Sequence, residues 1–144
     1  MDADALFDAI GNAVKDVVFY SESSSPASPY RPGLVTKRWP LDSFEFAEAV
    51  GLDVERPMDS KAFGAFIDWR LDEDPELFDV SEIENARRVR ELARLLRDHL
   101  HDVRVFRLGS VSEDDEVRGT IDCFAVGRHE SGEVLGFRTT TVET

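Results

Sequence analysis

Histidine, cysteine and the common ligand motifs offer little catalytic chemistry in this chain of 144 residues, which holds three histidines and one cysteine. His99 and His101 lie two apart in a helical pattern, so their side chains point about 200° apart and cannot chelate one ion. His129 falls in a predicted hairpin loop, where we expect a solvated imidazole, and Cys123 has apolar strand neighbours typical of a buried thiol. Gly-rich phosphate loops, His-Glu-x-x-His strings and paired cysteines are absent. We therefore expect a protein that is not an enzyme, with no catalytic residues, no cofactor and no metal in its free form.

Two positions in the sequence place a carboxylate at the end of a predicted strand. Glu22 stands in an SES string directly after the apolar run VVFY; it is either a carboxylate held out from a rigid edge or a common turn-forming acid. The second place is the end of the sequence, where a strand pattern over 137–142 runs to within two residues of Thr144. Most chain ends fray. An end held by a sheet would instead present a fixed carboxylate beside Glu143, able to approach a cation or an Arg cluster.

The charge balance limits the possible partners. Asp and Glu number 30 against 17 Lys and Arg, which gives a net charge of -13. A phosphate polymer would be repelled, so we expect no direct binding to nucleic acid or to an anionic membrane. The acidic start MDADALFDAI does not resemble a signal peptide, and no apolar run approaches the roughly 20 residues of a membrane span. We expect a cytoplasmic monomer, whose acidity serves solubility or imitates a polyanion.

The first half of the sequence predicts short elements. Residues 2–15 carry apolar side chains at helical spacing, and residues 17–20 form a β-branched and aromatic run typical of a strand. The Ser- and Pro-rich stretch 21–33 is predicted to be a loop. Short helices are predicted from Ser43, as a Ser cap, to Gly51 and from Asp59 to Trp69, with an acidic loop over 71–80.

The second half gives the strongest pattern. A long amphipathic helix is predicted over 81–101, opened by a capping box of Ser81 and Glu84. Its arginine stripe is interpreted as a solvated face with local ion pairs. Three strands follow, around 103–108, 121–126 and 134–142, the last two forming a hairpin. The sequence predicts one α+β domain over 1–144, with a sheet covered by helices.

Four strings in order carry a family resemblance: VVFYSES, VRVFRLG, IDCFAVG and the ending TTTVET. Together they resemble the nuclease A inhibitor-like (NuiA-like) family. The resemblance implies a three-layer α/β/α sandwich with a mainly antiparallel central sheet. It also implies inhibition of a basic, sugar-nonspecific, Mg-dependent nuclease of the ββα-metal type.

The resemblance assigns the partner-binding residues. Glu22 and Thr144 would enter the nuclease active site and reach its Mg, with Glu143 beside them. An aromatic residue before the long helix also belongs to the family interface; spacing selects Phe78, whereas residue identity selects Trp69. The SSPASP string after Glu22 and the acidic stretch 112–116 depart from the family pattern, so a different basic protein partner is the alternative.

Overall fold

The computed structural model describes residues 1–20, 24–67, 80–111, 114 and 116–143. Within them lie four helices and six strands. The helices are α1 (Ala3–Ala13), α2 (Ser43–Val50), α3 (Phe63–Ile67) and α4 (Val80–His99). The strands are β1 (Val18–Tyr20), β2 (Ser24–Leu34), β3 (Met58–Ala62), β4 (His101–Leu108), β5 (Gly119–Arg128) and β6 (Glu133–Glu143).

The six strands form one sheet in the order β1-β2-β6-β5-β4-β3. All the pairings between these strands are antiparallel. The predicted α+β class with a mainly antiparallel sheet is therefore confirmed. The sheet joins the N-terminal strands to the last strand, because β2 pairs directly with β6.

Alternate residues of β5 belong to two separate hydrophobic clusters, because successive side chains of a strand point to opposite faces. Ile121 and Cys123 pack with α1 and α4 side chains such as Leu6 and Leu92. Phe124 packs in the other cluster, with the α2 residues Phe46 and Ala47. We call these the α1/α4 face and the α2 face of the sheet.

The predicted loop over 21–33 is wrong for residues 24–33, which belong to strand β2. The prolines of this stretch are typical of a loop, since a proline cannot donate a ladder hydrogen bond. Among the described strands, β1 pairs with β2 only at residues 24–26, so the rest of that side of β2 is an edge that tolerates proline. A register shift between Tyr30 and Gly33 also interrupts the ladder to β6.

The short middle elements need three corrections. The cap of α2 is Asp42, whose side chain accepts from the Glu45 N–H in a capping box, and not Ser43. Gly51 ends α2 at φ +78°, as predicted. The helix predicted from Asp59 to Trp69 is confirmed over α3 and wrong for residues 59–62, which belong to strand β3. Residues 68 and 69 lie outside the described residues. Of the predicted acidic loop, Val80 begins α4 and residues 71–79 lie outside the described residues.

Helix α4 confirms the long amphipathic prediction, with two corrections at its ends. It begins at Val80, so Ser81 lies inside the helix and is not its cap, and it ends at His99, so His101 belongs to β4. Its buried side chains Val89, Leu92 and Leu96 face the sheet. Arg87 on the outer side pairs with Glu84 and Glu91. Hydrogen bonding by Arg87 lowers the pKa of the Glu84 carboxyl, so the interpretation as a solvated face with local ion pairs holds at this position. Within the described residues, no helix has the length and apolar character to cross a membrane.

Candidate functional site

Four strand ends meet at one end of the sheet. Tyr20, the last residue of β1, is paired with Ser24, the first of β2. Strand β2 runs antiparallel to β6 in the register Ala27↔Thr139, so the start of β2 and the end of β6 lie together. Glu143, the last residue of β6, is paired with Gly119 at the start of β5. We call this end of the sheet, marked by Tyr20, Ser24, Gly119 and Glu143, the strand-end region.

Helix α4 holds β1 in place through Asn85. The side-chain Oδ1 of Asn85 accepts from the Val18 N–H at 2.9 Å, and its Nδ2 donates to the Val18 carbonyl at 2.8 Å. Phe19, the next residue, stacks on Phe137 of β6 at a ring-centroid distance of 5.4 Å. Polar and aromatic contacts therefore fix the three-residue strand that leads into the SES string.

Two side-chain contacts fix the last residues of β6. The Thr139 hydroxyl donates to the Pro26 carbonyl at 2.8 Å, which ties β6 to β2. The Arg107 guanidinium donates to the Glu143 carboxylate at 3.0 Å, which ties the end of β6 to β4. The prediction of a strand that runs almost to the end of the sequence is confirmed as far as Glu143.

A groove of about 340 Å³ opens on the α2 face beside the strand-end region. Its lining is mostly polar and includes Ser25, Asp122, Arg138 and Thr140. Asp122 is held by Arg56 at 2.8 Å, and Arg138 is exposed. The groove therefore presents hydroxyl and charged groups at this end of the sheet.

The structure describes only part of the site that the sequence predicts. Glu143 lies in the strand-end region, with its side chain half-exposed. Glu22, Thr144, Phe78 and Trp69 lie outside the described residues, so their roles stay predictions.

Sequence reasoning missed Asn85 and Arg107, the two residues that hold β1 and the end of β6. Each carried a signal, because it breaks an apolar pattern at a core position. Asn85 falls four residues before the buried Val89 on α4. Arg107 shares strand parity with the buried Val105 of β4. A polar group on the core side of an element needs a partner, and the partner can be identified only from the fold.

The expected solvated His129 is wrong, because its imidazole is buried. The Ser131 N–H donates to Nδ1 at 3.1 Å, which leaves Nε2 as the protonated nitrogen. Nε2 donates to the Met1 carbonyl at 2.8 Å. His129 therefore fastens the start of the chain to the β5–β6 turn, at the opposite end of β6 from Glu143.

The prediction that Cys123 is a buried thiol is confirmed. Burial raises its pKa to about 11, although a contact with the Thr141 hydroxyl at 3.7 Å acts in the opposite direction. The thiolate is the reactive form, so we expect the folded protein to resist iodoacetamide at pH 8. The unfolded chain in urea should react at the ordinary thiol rate.

The same shift predicts a pH dependence of stability. The folded state favours the protonated thiol, so this contribution is complete below the unfolded pKa, near 9, and is lost as the pH rises toward about 11. A Cys123→Ala variant should lose less stability than the wild type over this interval in urea unfolding. Equal alkylation of folded and unfolded chains would contradict the expectation that burial protects the Cys123 thiol from iodoacetamide.

Within the described ranges, no group of three or more His, Cys, Asp or Glu side chains is arranged to hold a metal ion. No curated protein matches the sequence. A family sequence model described as nuclease A inhibitor-like protein matches residues 4–144. The match includes β1 before the SES string, β2 after it and the end of β6. Because it covers nearly the whole sequence, the chain belongs to the nuclease A inhibitor-like (NuiA) family.

Proposed function

We propose that this protein inhibits a sugar-nonspecific, Mg-dependent nuclease by placing Glu22 and the terminal carboxylate of Thr144 in the nuclease active site. The observation that carries the proposal is that the end of β1, the start of β2 and the end of β6 lie together in the strand-end region. Glu22 is two residues from both Tyr20 and Ser24 in the sequence, and Thr144 directly follows Glu143. The described strand ends next to both carboxylates therefore lie at one end of the sheet.

The chemistry of such a nuclease suits two carboxylates. A nuclease cleft holds phosphate with Arg or Lys side chains and a metal ion, and Mg²⁺ prefers oxygen ligands. Two carboxylates would occupy phosphate positions while offering no scissile bond. The role is then binding rather than catalysis, in agreement with the family.

The overall charge of -13 supports a basic partner. A negative field raises the association rate with a basic cleft, and salt reduces that gain. The two hydrophobic clusters, with α1 and α4 on one face and α2 on the other, support the three-layer α/β/α arrangement implied by the family.

The test is an inhibition assay with a panel of purified, Mg-dependent nonspecific nucleases. We expect wild-type protein to suppress DNA cleavage. Glu22→Ala and deletion of Thr144 should each weaken inhibition by about 100-fold, the scale of losing a desolvated charged contact. An extension added after Thr144 should also abolish inhibition, whereas an extension before Met1 should be tolerated.

Glu130→Ala is the matched control, because Glu130 is exposed in the β5–β6 turn at the other end of β6. It should leave inhibition unchanged. Activity of every nuclease in the panel at micromolar wild-type protein would overturn the proposal. Salt-sensitive binding to a basic protein without inhibition would replace it with the alternative of a different partner.

A further inference from the structure

Arg107 is a buried cation that the proposed inhibition does not itself use. It lies on β4 between the buried Phe106 and Leu108, and its side chain is only 5% exposed. Its Cα partner on β5 is Cys123, so it points to the α1/α4 face of the sheet. A charge removed from water requires a close partner of opposite charge.

Two carboxylates lie near the Arg107 guanidinium, and they are not equivalent. Glu143 accepts a hydrogen bond from Nη2 at 3.0 Å, across the intervening strand β5. Asp59 of β3 is an ion-pair neighbour at 3.5 Å, through Oδ2. Its other oxygen, Oδ1, is buried with no hydrogen-bond partner in the part of the chain that the structure describes. The better-made contact is therefore the one to Glu143.

The Arg107–Glu143 contact joins two strands that do not pair with each other. Strand β5 separates β4 from β6, and the arginine side chain spans it. The contact acts on the last described residue of β6, whose backbone is paired with Gly119 at the start of β5. Chain ends without such restraints fray.

Stability alone is a weak reason for this arrangement. The desolvation penalty of a buried ion pair offsets much of its Coulombic attraction, and apolar replacements of similar size are often as stable. A buried charge pair that fixes one geometry has a better-attested role in specifying position. Arg107 fits such a positioning role, since its guanidinium is buried and its hydrogen bond holds a carboxylate that is itself half-exposed at the end of β6.

We propose that Arg107 is a positioning residue that holds Glu143, and thereby the end of β6, in the one placement that lets the following residue enter a partner's site. Arg107 then acts through Glu143, and the Glu143 carboxylate binds Arg107 rather than touching the partner. The inference rests on the proposed inhibition for its purpose. The restraint on β6 itself is a property of the free protein.

The first experiment measures amide hydrogen exchange in the free protein by NMR. Arg107→Met keeps an unbranched apolar stem and removes the charge. We expect exchange at Val142 and Glu143 to accelerate about tenfold, with no change at Val134 and Leu135 at the start of the strand.

A second Arg–Glu pair on β6 gives a matched control. Arg31 binds Glu133 at 2.9 Å at the start of the strand, so Arg31→Met should accelerate exchange near Val134 and leave Val142 unchanged. A uniform acceleration over the whole sheet in Arg107→Met, or none at Val142, would overturn the proposal.

The second experiment is a double-mutant cycle on nuclease inhibition. Arg107→Met and Glu143→Gln should each raise the inhibition constant about tenfold, and the double variant should be no worse than either single variant. Additive losses would show that Glu143 meets the partner directly and would overturn the assignment. Arg31→Met should leave the inhibition constant unchanged.

A variant without any of the three charges addresses the case in which Arg107→Met fails to fold. The combined changes Asp59→Asn, Arg107→Met and Glu143→Gln leave no buried charge unpaired, and the same local acceleration at Val142 is expected. If no nuclease is inhibited by the wild type, the proposed function fails while the exchange data still decide whether Arg107 restrains β6.

Discussion

Gly136→Ala is expected to cost about 4 kcal/mol or more of folding free energy, a large part of the stability of a small domain. A Cβ at this position would lie 1.9 Å from the Ala125 carbonyl oxygen and 2.9 Å from the Val126 Cα. Both atoms belong to the backbone of β5, so no side-chain rotation relieves the clash. Strand β6 would have to move away from β5 at this point, and urea unfolding should show a midpoint at a much lower urea concentration.

Gly11→Ala is the control for this prediction. Gly11 lies in α1, and a Cβ there would meet only the Pro29 Cγ at an ordinary distance of 3.8 Å. Alanine is favoured over glycine in a helix by roughly 0.5–1 kcal/mol, so the variant should be as stable as the wild type or slightly more stable. Similar destabilisation by the two changes would contradict the geometry given for Gly136.

Phe46→Ala is expected to destabilise the fold by about 3–5 kcal/mol, the usual cost of truncating a buried aromatic residue. Phe46 is fully buried on α2 and stacks on Phe106 of β4 at a centroid distance of 4.2 Å. Its ring also meets Phe124 of β5 at 5.9 Å. The truncation leaves a cavity between α2 and the sheet, and thermal unfolding should show a clearly lowered midpoint.

Phe44→Ala provides a matched control on the same helix. Phe44 is 50% exposed, so its truncation should change the stability by no more than about 0.5 kcal/mol. Circular dichroism of both variants would verify that α2 still forms. If Phe44→Ala proves as harmful as Phe46→Ala, the assignment of Phe46 as the residue that fastens α2 to the sheet is wrong.

The long helix and the last three strands could be predicted because their apolar periodicity is strong and local. The spacing of Val89, Leu92 and Leu96 is sufficient to define the buried face of α4. Strand β2 could not be recognised, because its Ser and Pro composition favours a loop. Its strand conformation comes from pairing with β1 and β6, and that information is absent from the local sequence.

The candidate site was predicted unevenly for a related reason. Glu22 and Thr144 are predictions from the order of the motifs and from the family resemblance, neither of which requires knowledge of the fold. Asn85 and Arg107 required knowledge of which strands become neighbours, since the Asn85 contact with Val18 joins residues 67 apart in the sequence. A polar residue on an apolar face signals that a partner exists, and tertiary structure alone identifies it.

The pairing of β2 with β6 also sets the order in which the protein can assemble. Pro26 and Thr139, which this pairing brings within hydrogen-bond distance, are 113 residues apart. During synthesis β2 therefore cannot pair with β6 until the end of the chain has been made. Contacts of such high sequence separation form slowly. Pro26, Pro29 and Pro32 lack the N–H that a foreign strand would pair with. The same prolines that make β2 resemble a loop in the sequence thus disfavour its pairing with strands of other molecules before β6 is in place.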